Sequence, residues 1–252
     1  MVEKTINEFN IQNFETCCTI LVLGPPGSGK STLIENIMYY NQHKYPSCKT
    51  ICNVETNYMT YCDIVPPLFV HKDFIIEKEE SSMTIRQKES VRTYTNLEIS
   101  PRLLLYVLDD VGLDRSHLNH NFFKDLFKLG SRHYPQMTII GNQYPIDFPP
   151  QLRTCGSYII LFNYPDNVNR KKLYDNFGGD SLFHSFDNFK LLMDTFTGNY
   201  GYVVLSFREQ TNDIEKRVFY GKTEQIPNNW VFGCREYVEW DKQRCKRKYD
   251  WD

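Results

Sequence analysis

Apolar residues along this chain form short continuous runs, and the segments between the runs carry apolar residues at helical spacing. Runs of strand length predict strands, and the runs that are apolar on both faces predict strands buried between layers of helices. The predicted strands are Cys17–Leu23, Lys49–Val54, Leu103–Leu108, Met137–Ile140, Tyr158–Phe162 and Tyr202–Leu205, with Leu68–Val70 as a further short strand. This pattern predicts an α/β fold with a mostly parallel central sheet and helices on both faces.

The intervening segments predict helices of two kinds. Leu33–Met38 and the stripe from Leu118 to Leu129 repeat apolar residues at helical spacing, so we expect helices packed on the sheet, the second one stopping at Gly130. Segments 168–177 and 182–196 also favour helix. Segment 77–92 is rich in charges, which is more typical of a helix with a solvated face than of a binding surface.

An octapeptide from Gly24 to Ser31 matches G-x-x-x-x-G-K-[ST] and directly follows the first predicted strand. Glycines let the backbone curl so that its N–H groups point inward at an anion, and the following helix adds its positive end. In such a phosphate-binding loop (Walker A), Lys30 reaches the β- and γ-phosphates and Ser31 holds Mg²⁺, so we expect ATP with Mg²⁺ as ligands. The predicted nucleotide-binding residues are Gly24, Pro25, Pro26, Gly27, Ser28, Gly29, Lys30, Ser31 and Thr32.

A second nucleotide motif is predicted where the apolar run Leu103–Leu108 ends in Asp109-Asp110, the form of a Walker B strand. We expect Asp109 to bind Mg²⁺ and Asp110 to orient or deprotonate the attacking water. Many ATPases of this kind carry Glu at the second position, so Asp110 has one methylene less reach. A predicted strand between the two motifs in the sequence, Lys49–Val54, indicates the additional-strand class of P-loop NTPases.

Two amides follow the predicted strand Met137–Ile140, at the edge where open α/β sheets bind ligands. Gln143 is the candidate that senses the γ-phosphate, by bonding either the phosphate or the attacking water. The alternative is that Asn142 and Gln143 only begin the turn toward Tyr144-Pro145.

Composition limits the function without selecting it. The chain has 252 residues, 41% of them hydrophobic, and a formal net charge of −2. It is long enough for one large domain, predicted as 1–226, followed by a short basic and aromatic tail, 227–252. Because the net charge supplies no overall positive field, any contact with DNA must come from a local group of basic residues. No apolar stretch approaches the ~20 residues of a transmembrane helix, so we expect a soluble intracellular protein.

One further tripeptide, Arg132-His133-Tyr134, lies between the amphipathic segment and the next predicted strand. The chain resembles the viral genome-packaging ATPases of the FtsK/HerA superclass, particularly the poxvirus-like branch of large DNA viruses. Four segments together carry this resemblance: Gly24–Ser31, Leu103–Asp110, Gly130–Tyr134 and Thr138–Gln143. The resemblance covers roughly residues 15 to 165. It implies an oligomeric ring that hydrolyses ATP to drive double-stranded DNA into a capsid.

The same resemblance implies roles for two site residues, a trans-acting arginine finger for Arg132 and a sensor for Gln143. It also implies a partner at the capsid vertex or a membrane-associated virion protein, and a location in the host cytoplasm, the viral factory or the virion. A right-handed crossover ends a helix near the opposite edge of the sheet, so Arg132 would serve a neighbouring subunit. Arg153 is the second candidate for the finger, and Arg170 is the third.

Other functions of a P-loop protein stay open at this point. A nucleotide kinase would need a lid with several arginines, and a AAA+ remodelling ATPase would need a C-terminal helical lid, neither of which the chain shows clearly. A nucleotide switch that hydrolyses slowly is a further alternative, although no Asn-Lys-x-Asp guanine tetrad occurs. The candidate DNA contacts are Lys72, Lys78, Arg86, Lys88 and the basic residues Lys242, Arg244, Lys246, Arg247 and Lys248.

Overall fold

One central sheet runs through the part of the chain described by this computed structural model, residues 6–93, 103–145, 149, 152, 155–209 and 211–245, with backbone alone at 89–93 and 129–133. Its strands are β1 (Asn7–Glu8), β2 (Cys18–Leu23), β3 (Ser47–Cys52), β4 (Val70–His71), β5 (Leu104–Asp109), β6 (Gln136–Asn142), β7 (Tyr158–Leu161), β8 (Gly201–Ser206) and β9 (Val218–Lys222). Their order is β1-β9-β8-β7-β2-β6-β5-β3-β4, and only the β7–β8 and β8–β9 pairs are antiparallel. The predicted mostly parallel sheet is confirmed.

Helices connect the strands. They are α1 (Lys30–Asn41), α2 (Glu55–Ile64), α3 (Ile76–Thr93), α4 (Arg115–Asn119), α5 (Asn121–His133), α6 (Asn167–Phe177), α7 (Gly179–Phe183), α8 (Phe186–Phe196), α9 (Ile214–Arg217) and α10 (Arg235–Arg244).

Two apolar layers cover the faces of the sheet, because alternate residues of each strand point to opposite sides. From β2, Ile20 and Val22 join the layer that contains Leu33 of α1. Leu21 joins the other layer, which contains Phe123 of α5. Buried strands that are apolar on both faces follow from this arrangement, as the sequence pattern predicts.

The order of the central strands determines where the sequence motifs meet. Strand β6 lies between β2 and β5, and all three are parallel. Leu23 of β2 is in register with Asn142 of β6, and Asp109 of β5 is in register with Gly141. The carboxyl ends of the two Walker strands and of β6 therefore lie side by side. The strand that separates the Walker strands in space is β6, whereas β3 lies beyond β5.

Several predicted boundaries were wrong. β3 occupies 47–52 rather than 49–54: its pairing with β5 ends at Cys52, and Val54 is already the N-cap of α2. Leu68 and Phe69 form a 3-10 turn, and the short strand follows them. Neither β1 nor β9 was predicted.

The amphipathic helix α5 does not stop at Gly130 but continues to His133, so Arg132 lies in its last turn and not in a loop. A single glycine costs a helix only about 1 kcal/mol. The helix ends before Tyr134 because Pro135 follows, and a residue before proline disfavours the helical conformation. Tyr134 has the corresponding extended geometry, with φ −111° and ψ 131°.

Helix α3 is not simply a solvated charged helix, because part of its charge faces the sheet. Glu79 is buried and pairs with Lys49, Nζ to Oε1 at 2.6 Å, and accepts a hydrogen bond from the Tyr106 hydroxyl at 3.0 Å. Arg86 donates to the Gln136 amide oxygen, and burial lowers the pKa of its guanidinium to about 10. Arg86 is therefore a poor candidate for a DNA contact.

The segment after residue 226 packs against the sheet domain as far as it is described. Phe232 is fully buried, and its N–H donates to the Ile64 carbonyl at 2.7 Å. In α10, the Tyr237 hydroxyl donates to the Cys48 carbonyl, and Asp241 accepts from the Leu68 N–H at 2.9 Å. The division into a domain 1–226 and a tail 227–252 stays a prediction. Among the helices described, none is both long enough and apolar enough to cross a bilayer.

We expect Phe232→Ala to lower the free energy of unfolding by about 3–5 kcal/mol, because it removes a ring from the core and leaves a cavity. Chemical denaturation of the whole chain measures this change. The neighbouring Val231 is 47% exposed, so Val231→Ala is the matched control and should change stability by less than about 0.5 kcal/mol. Equal stability of Phe232→Ala and the parent chain would mean that the segment is a detachable tail.

Candidate functional site

The loop between β2 and α1 has the backbone of a phosphate cradle. Gly27 and Gly29 have positive φ angles of 75° and 99°, a conformation that glycine adopts without steric cost. The Gly24 N–H donates to the Asn142 carbonyl of β6 at 3.3 Å, which attaches the start of the loop to the neighbouring strand. A Cβ at Gly24 would lie 2.5 Å from Ser28 Oγ, so the loop packs too tightly for any larger residue there.

Lys30 and Ser31 begin α1 and point toward the end of β5. The Lys30 ammonium lies 3.7 Å from Asp110 Oδ2, and both side chains are less than 10% exposed. Ser31 Oγ donates to Asp109 Oδ2 at 3.1 Å. The structure therefore brings together Lys30, Ser31, Asp109 and Asp110, which sequence analysis assigned to one site.

Asp109 is fully buried, and three donors converge on one of its two oxygens. Besides Ser31, Asn57 donates to Oδ2 at 3.3 Å and the Tyr61 hydroxyl donates at 3.0 Å. Within the described chain, Oδ1 accepts no hydrogen bond. Burial, and secondarily the charge of Asp110, raise the pKa of Asp109 above its usual range.

A glycine on the neighbouring strand makes room for this carboxylate. A Cβ on Gly141 would lie 2.5 Å from Asp109 Oδ1 and 3.0 Å from Ile34 Cδ1. Contacts at 2.5 Å are not found for real Cβ atoms, so position 141 accepts a side chain only if Asp109 moves.

Asp110 has a left-handed backbone, with φ 51°. Its N–H donates to the Gly141 carbonyl at 3.0 Å, so the turn out of β5 is attached to β6. Asp and Asn are the residues besides glycine that adopt this conformation most readily, since their short polar side chains bond locally. This backbone accounts for Asp, in place of a longer Glu, at the second acidic position.

Gln143 contacts Asp110 directly. Its side-chain amide nitrogen donates to Asp110 Oδ2 at 2.9 Å, while its main-chain carbonyl accepts from the Tyr164 hydroxyl at 2.7 Å. Asp110 Oδ1 accepts no hydrogen bond from the described residues. The amide is thus more than the start of a turn: it holds the carboxylate that sequence analysis proposed as the base.

Arg170, the third candidate for the arginine finger, is buried within this chain. Its Nε donates to the Tyr164 carbonyl at 2.6 Å, and its Nη2 donates to Asn163 at 2.8 Å and to Asp194 at 2.7 Å. These bonds hold the loop after β7, and with it the tyrosine that contacts Gln143. Arg153, the second candidate, lies outside the described residues.

Arg132 lies far from its own phosphate loop. Its helix ends three residues before β6, and the register of β6 with β2 places that point at the amino end of the sheet. The seven residues of β6 span about 20 Å, so the last turn of α5 and the phosphate loop are at opposite edges. The structure therefore does not bring Arg132 to the site of the same chain.

The oxygen set around Asp109 suits a hard divalent cation. Mg²⁺ prefers carboxylate and hydroxyl oxygens together with water and phosphate oxygens. Ser31 Oγ and the carboxylate of Asp109 are oxygens of this kind, and Asp109 Oδ1 accepts no hydrogen bond from the described residues. The residues present thus fit a magnesium ion, which Ser31 and Asp109 would hold.

Three contributors were missed by sequence reasoning: Asn57 and Tyr61 of α2 and Tyr164 after β7. Asn57 donates to Ser31 Oγ at 2.8 Å as well as to Asp109. The position of α2 in the chain could have indicated Asn57 and Tyr61. This helix begins just after β3, and β3 is the neighbour of β5 in the sheet. Polar residues just past a parallel strand lie at the ligand edge.

We expect Asp109→Asn to raise the thermal midpoint of the metal-free chain at neutral pH. The raised pKa means that the neutral carboxyl is favoured in the folded state, so its stabilising contribution is complete below about pH 4 and is lost as pH rises through the raised pKa. Asn does not ionise, so the difference between variant and parent should widen with pH. Thermal unfolding in chelator from pH 4 to 8 measures it.

Two controls accompany this measurement. Asp187→Asn, at an exposed acid of α8, should give a difference that stays below about 0.5 kcal/mol at every pH. Added Mg²⁺ should stabilise the parent chain but not Asp109→Asn. An Asp109→Asn variant that is less stable than the parent throughout the pH range would contradict the raised pKa.

Proteins of several viruses resemble the chain along nearly its whole length. It is 31% identical over 242 residues to protein 075L of Invertebrate iridescent virus 6, covering 94% of this chain and 90% of that protein. It is 26% identical over 250 residues to protein L437 of Acanthamoeba polyphaga mimivirus, covering 97% and 86% of the two chains. No protein-family model matches it.

Solved structures share the fold at low sequence identity. The genome packaging NTPase B204 of Sulfolobus turreted icosahedral virus 2, in complex with ATPγS, has a TM-score of 0.56 at 16% identity, covering 83% of this chain and 98% of B204. The AMP complex of B204 has a TM-score of 0.59 at 15% identity, covering 84% and 100%. The pCW3 conjugation coupling protein TcpA has a TM-score of 0.53 at 12% identity, covering 81% and 59%.

The resemblance predicted from the motifs is thereby confirmed for the fold. The chain belongs to the family of protein 075L of Invertebrate iridescent virus 6, with homologues in large DNA viruses, and has the fold of FtsK/HerA-type viral genome-packaging NTPases.

Proposed function

We propose that this protein is an ATP-hydrolysing motor that moves double-stranded viral DNA into a capsid as part of an oligomeric ring. The observation that carries the proposal is the convergence of Lys30, Asp109, Asp110 and Gln143 at one sheet edge. A cavity of about 700 Å³ opens there and is lined by the phosphate loop, Asp110 and Gln143. Its size and polarity suit a nucleoside triphosphate.

The residues divide the work of phosphoryl transfer, which depends on positioning and charge neutralisation. Backbone N–H groups of the loop would hold the phosphates, and Lys30 would neutralise charge on the β- and γ-oxygens. Ser31 and Asp109 would hold Mg²⁺, which supplies further neutralisation of the charge that develops on the phosphate oxygens. Asp110 would orient the attacking water or accept its proton, in a position held by Gln143.

Lys30 and Gln143 contact the same carboxylate, Asp110, so they could link binding of the γ-phosphate to the position of Gln143. Both contact the same oxygen, Asp110 Oδ2, at 3.7 Å and 2.9 Å. A bound γ-phosphate would draw Lys30 away from that oxygen, since the phosphate carries more charge. Gln143 would then sense the phosphate through its contact with Asp110.

An oligomeric ring is supported by the position of Arg132. Strand β6, about 20 Å long, separates the end of α5 from the phosphate loop, so as a finger Arg132 could complete only a neighbour's site. This agrees with the shared fold of B204, a genome packaging NTPase solved with ATPγS. The family membership among viral proteins supports packaging over a general remodelling role, and we place the protein in the cytoplasm or viral factory, with a capsid-vertex or membrane-associated virion protein as partner.

We expect long duplex DNA to stimulate ATP hydrolysis at low salt, regardless of its sequence. Contacts with a few phosphates are electrostatic, so three of them would weaken apparent DNA affinity about 40-fold between 50 and 200 mM salt. Release of inorganic phosphate measures the rate. Asp110→Asn should reduce it about 10²- to 10⁴-fold with or without DNA.

Two outcomes of this assay would contradict a packaging motor. Hydrolysis that is insensitive to DNA at every salt concentration would favour a nucleotide switch. Transfer of the phosphoryl group to an added nucleoside monophosphate would favour a kinase.

We expect Arg132→Ala to retain ATP binding but to lose about 10³- to 10⁵-fold in turnover, as for other trans-acting arginines. Mixing it with Asp110→Asn subunits should restore activity, because some interfaces then combine an intact Arg132 with an intact Asp110. Arg115 is an exposed arginine at the start of α4, so Arg115→Ala is the matched control and should behave as the parent. The same mixing with Arg153→Ala distinguishes the two candidate fingers. A mixture as inactive as its components would exclude a shared site.

A further inference from the structure

An aromatic residue in an unfavourable backbone conformation stands beside the phosphate loop. Tyr200 has φ 62° and follows Asn199, which has φ 51°. A bulky residue is an outlier in this region, and such strain persists only where surrounding contacts maintain it. The Tyr200 side chain is nevertheless 57% exposed, so burial of the ring does not account for the strained turn.

The ring of Tyr200 lies over the end of the phosphate loop. A Cβ built on Gly29 would be 3.2 Å from Tyr200 Cδ1 and 3.7 Å from the methyl group of Thr223. Tyr200 also lines the 700 Å³ cavity together with Lys30, Ser31 and the segment Thr223–Gln225. One wall of the cavity is therefore aromatic and belongs to neither Walker motif.

This wall is attached to the helix that carries the phosphate loop. Asn36 of α1 donates to the Glu224 carbonyl at 3.0 Å and accepts from the Glu224 N–H at 2.9 Å. The Tyr40 hydroxyl donates to the Glu224 carboxylate at 2.6 Å. Thr223 donates its N–H to the Tyr200 carbonyl at 3.2 Å, which joins the two segments. Hydrogen bonds to α1 thus hold Glu224 in place, and the bond from Thr223 connects this segment to Tyr200.

The position of the wall relative to the phosphates matches the layout of a nucleotide. Asn36 lies six residues beyond Lys30, which is roughly 9 Å along α1. The segment that Asn36 holds is therefore displaced from the phosphate loop along the helix, as a base is displaced from its triphosphate. Every nucleobase has a π-face that can stack on an aromatic ring.

We propose that Tyr200 and Thr223–Gln225 form the nucleobase subsite of this cavity, with Tyr200 as the stacking surface and Gln225 reading the base edge. The proposal rests on the proposed ATPase function and names its substrate more closely. Gln225 is exposed at the cavity, and a carboxamide can donate and accept together, as the N6 and N7 atoms of adenine require. The subsite therefore suits adenine better than guanine, which presents two acceptors on that edge.

Equilibrium binding without DNA tests the stacking surface. The probes are β,γ-methylene-ATP with Mg²⁺ and inorganic triphosphate, which has no base. Tyr200→Ala should weaken the nucleotide about 5- to 150-fold, as for removal of one base–aromatic stack, and leave triphosphate binding unchanged. Tyr200→Phe keeps the ring and should bind both probes as the parent does.

Other results of this titration would overturn the proposal. Unchanged nucleotide affinity in Tyr200→Ala would exclude stacking, and equal weakening of both probes would assign Tyr200 to the shape of the phosphate loop. Gln225→Ala should reduce the preference for the adenine over the guanine analogue, and an unchanged preference would refute edge reading. A parent chain that binds neither probe would overturn the subsite together with the ATPase function. If the parent chain binds nucleotide but DNA does not change its ATPase rate, the nucleobase subsite is supported and only the DNA-motor function is contradicted.

Discussion

The burial of two adjacent carboxylates beside a single lysine is the interaction on which the rest of this structure depends. Asp109 and Asp110 lie next to each other at the carboxyl end of β5, and Lys30 is 3.7 Å from the second of them. Asp109 is fully buried, and its pKa is raised by that burial and by its acidic neighbour. Such a pair is stable as anions only when further positive charge is present. The fold therefore holds a site that a divalent cation would complete.

The two halves of the sheet make different contributions to the cavity. The parallel half, from β2 to β4, supplies the phosphate loop, the acidic pair and the amides of Asn57 and Gln143. The antiparallel pair β8 and β9 supplies the aromatic wall, since Tyr200 precedes the first and Thr223 follows the second. Strand β7 joins the halves, and the loop after it connects Arg170 through Tyr164 to Gln143.

Local patterns predicted the elements whose chemistry is contained in consecutive residues. The phosphate loop directly follows β2, and the acidic pair lies at the end of β5. The order of residues along the chain is therefore enough to predict that each lies at the end of a strand. Asn57 lies in α2, after β3, and Tyr164 lies in the loop after β7. Both reach the site only through the order of the strands in the sheet, which no local pattern determines. The end of α5 was predicted wrongly for a local reason. Pro135, rather than Gly130, determines where the helix stops. Arg170 was misread because its partner Asp194 is 24 residues away.

Glycine at position 141 has a consequence for variation within the family. The acid on β5 occupies space that a side chain on β6 would fill, so the two positions cannot drift independently. A relative that acquires even a methyl group at the β6 position must shorten or redirect the acid on β5. A glycine at this position in a related sequence therefore indicates that the related protein keeps the buried acid of β5 in the same place.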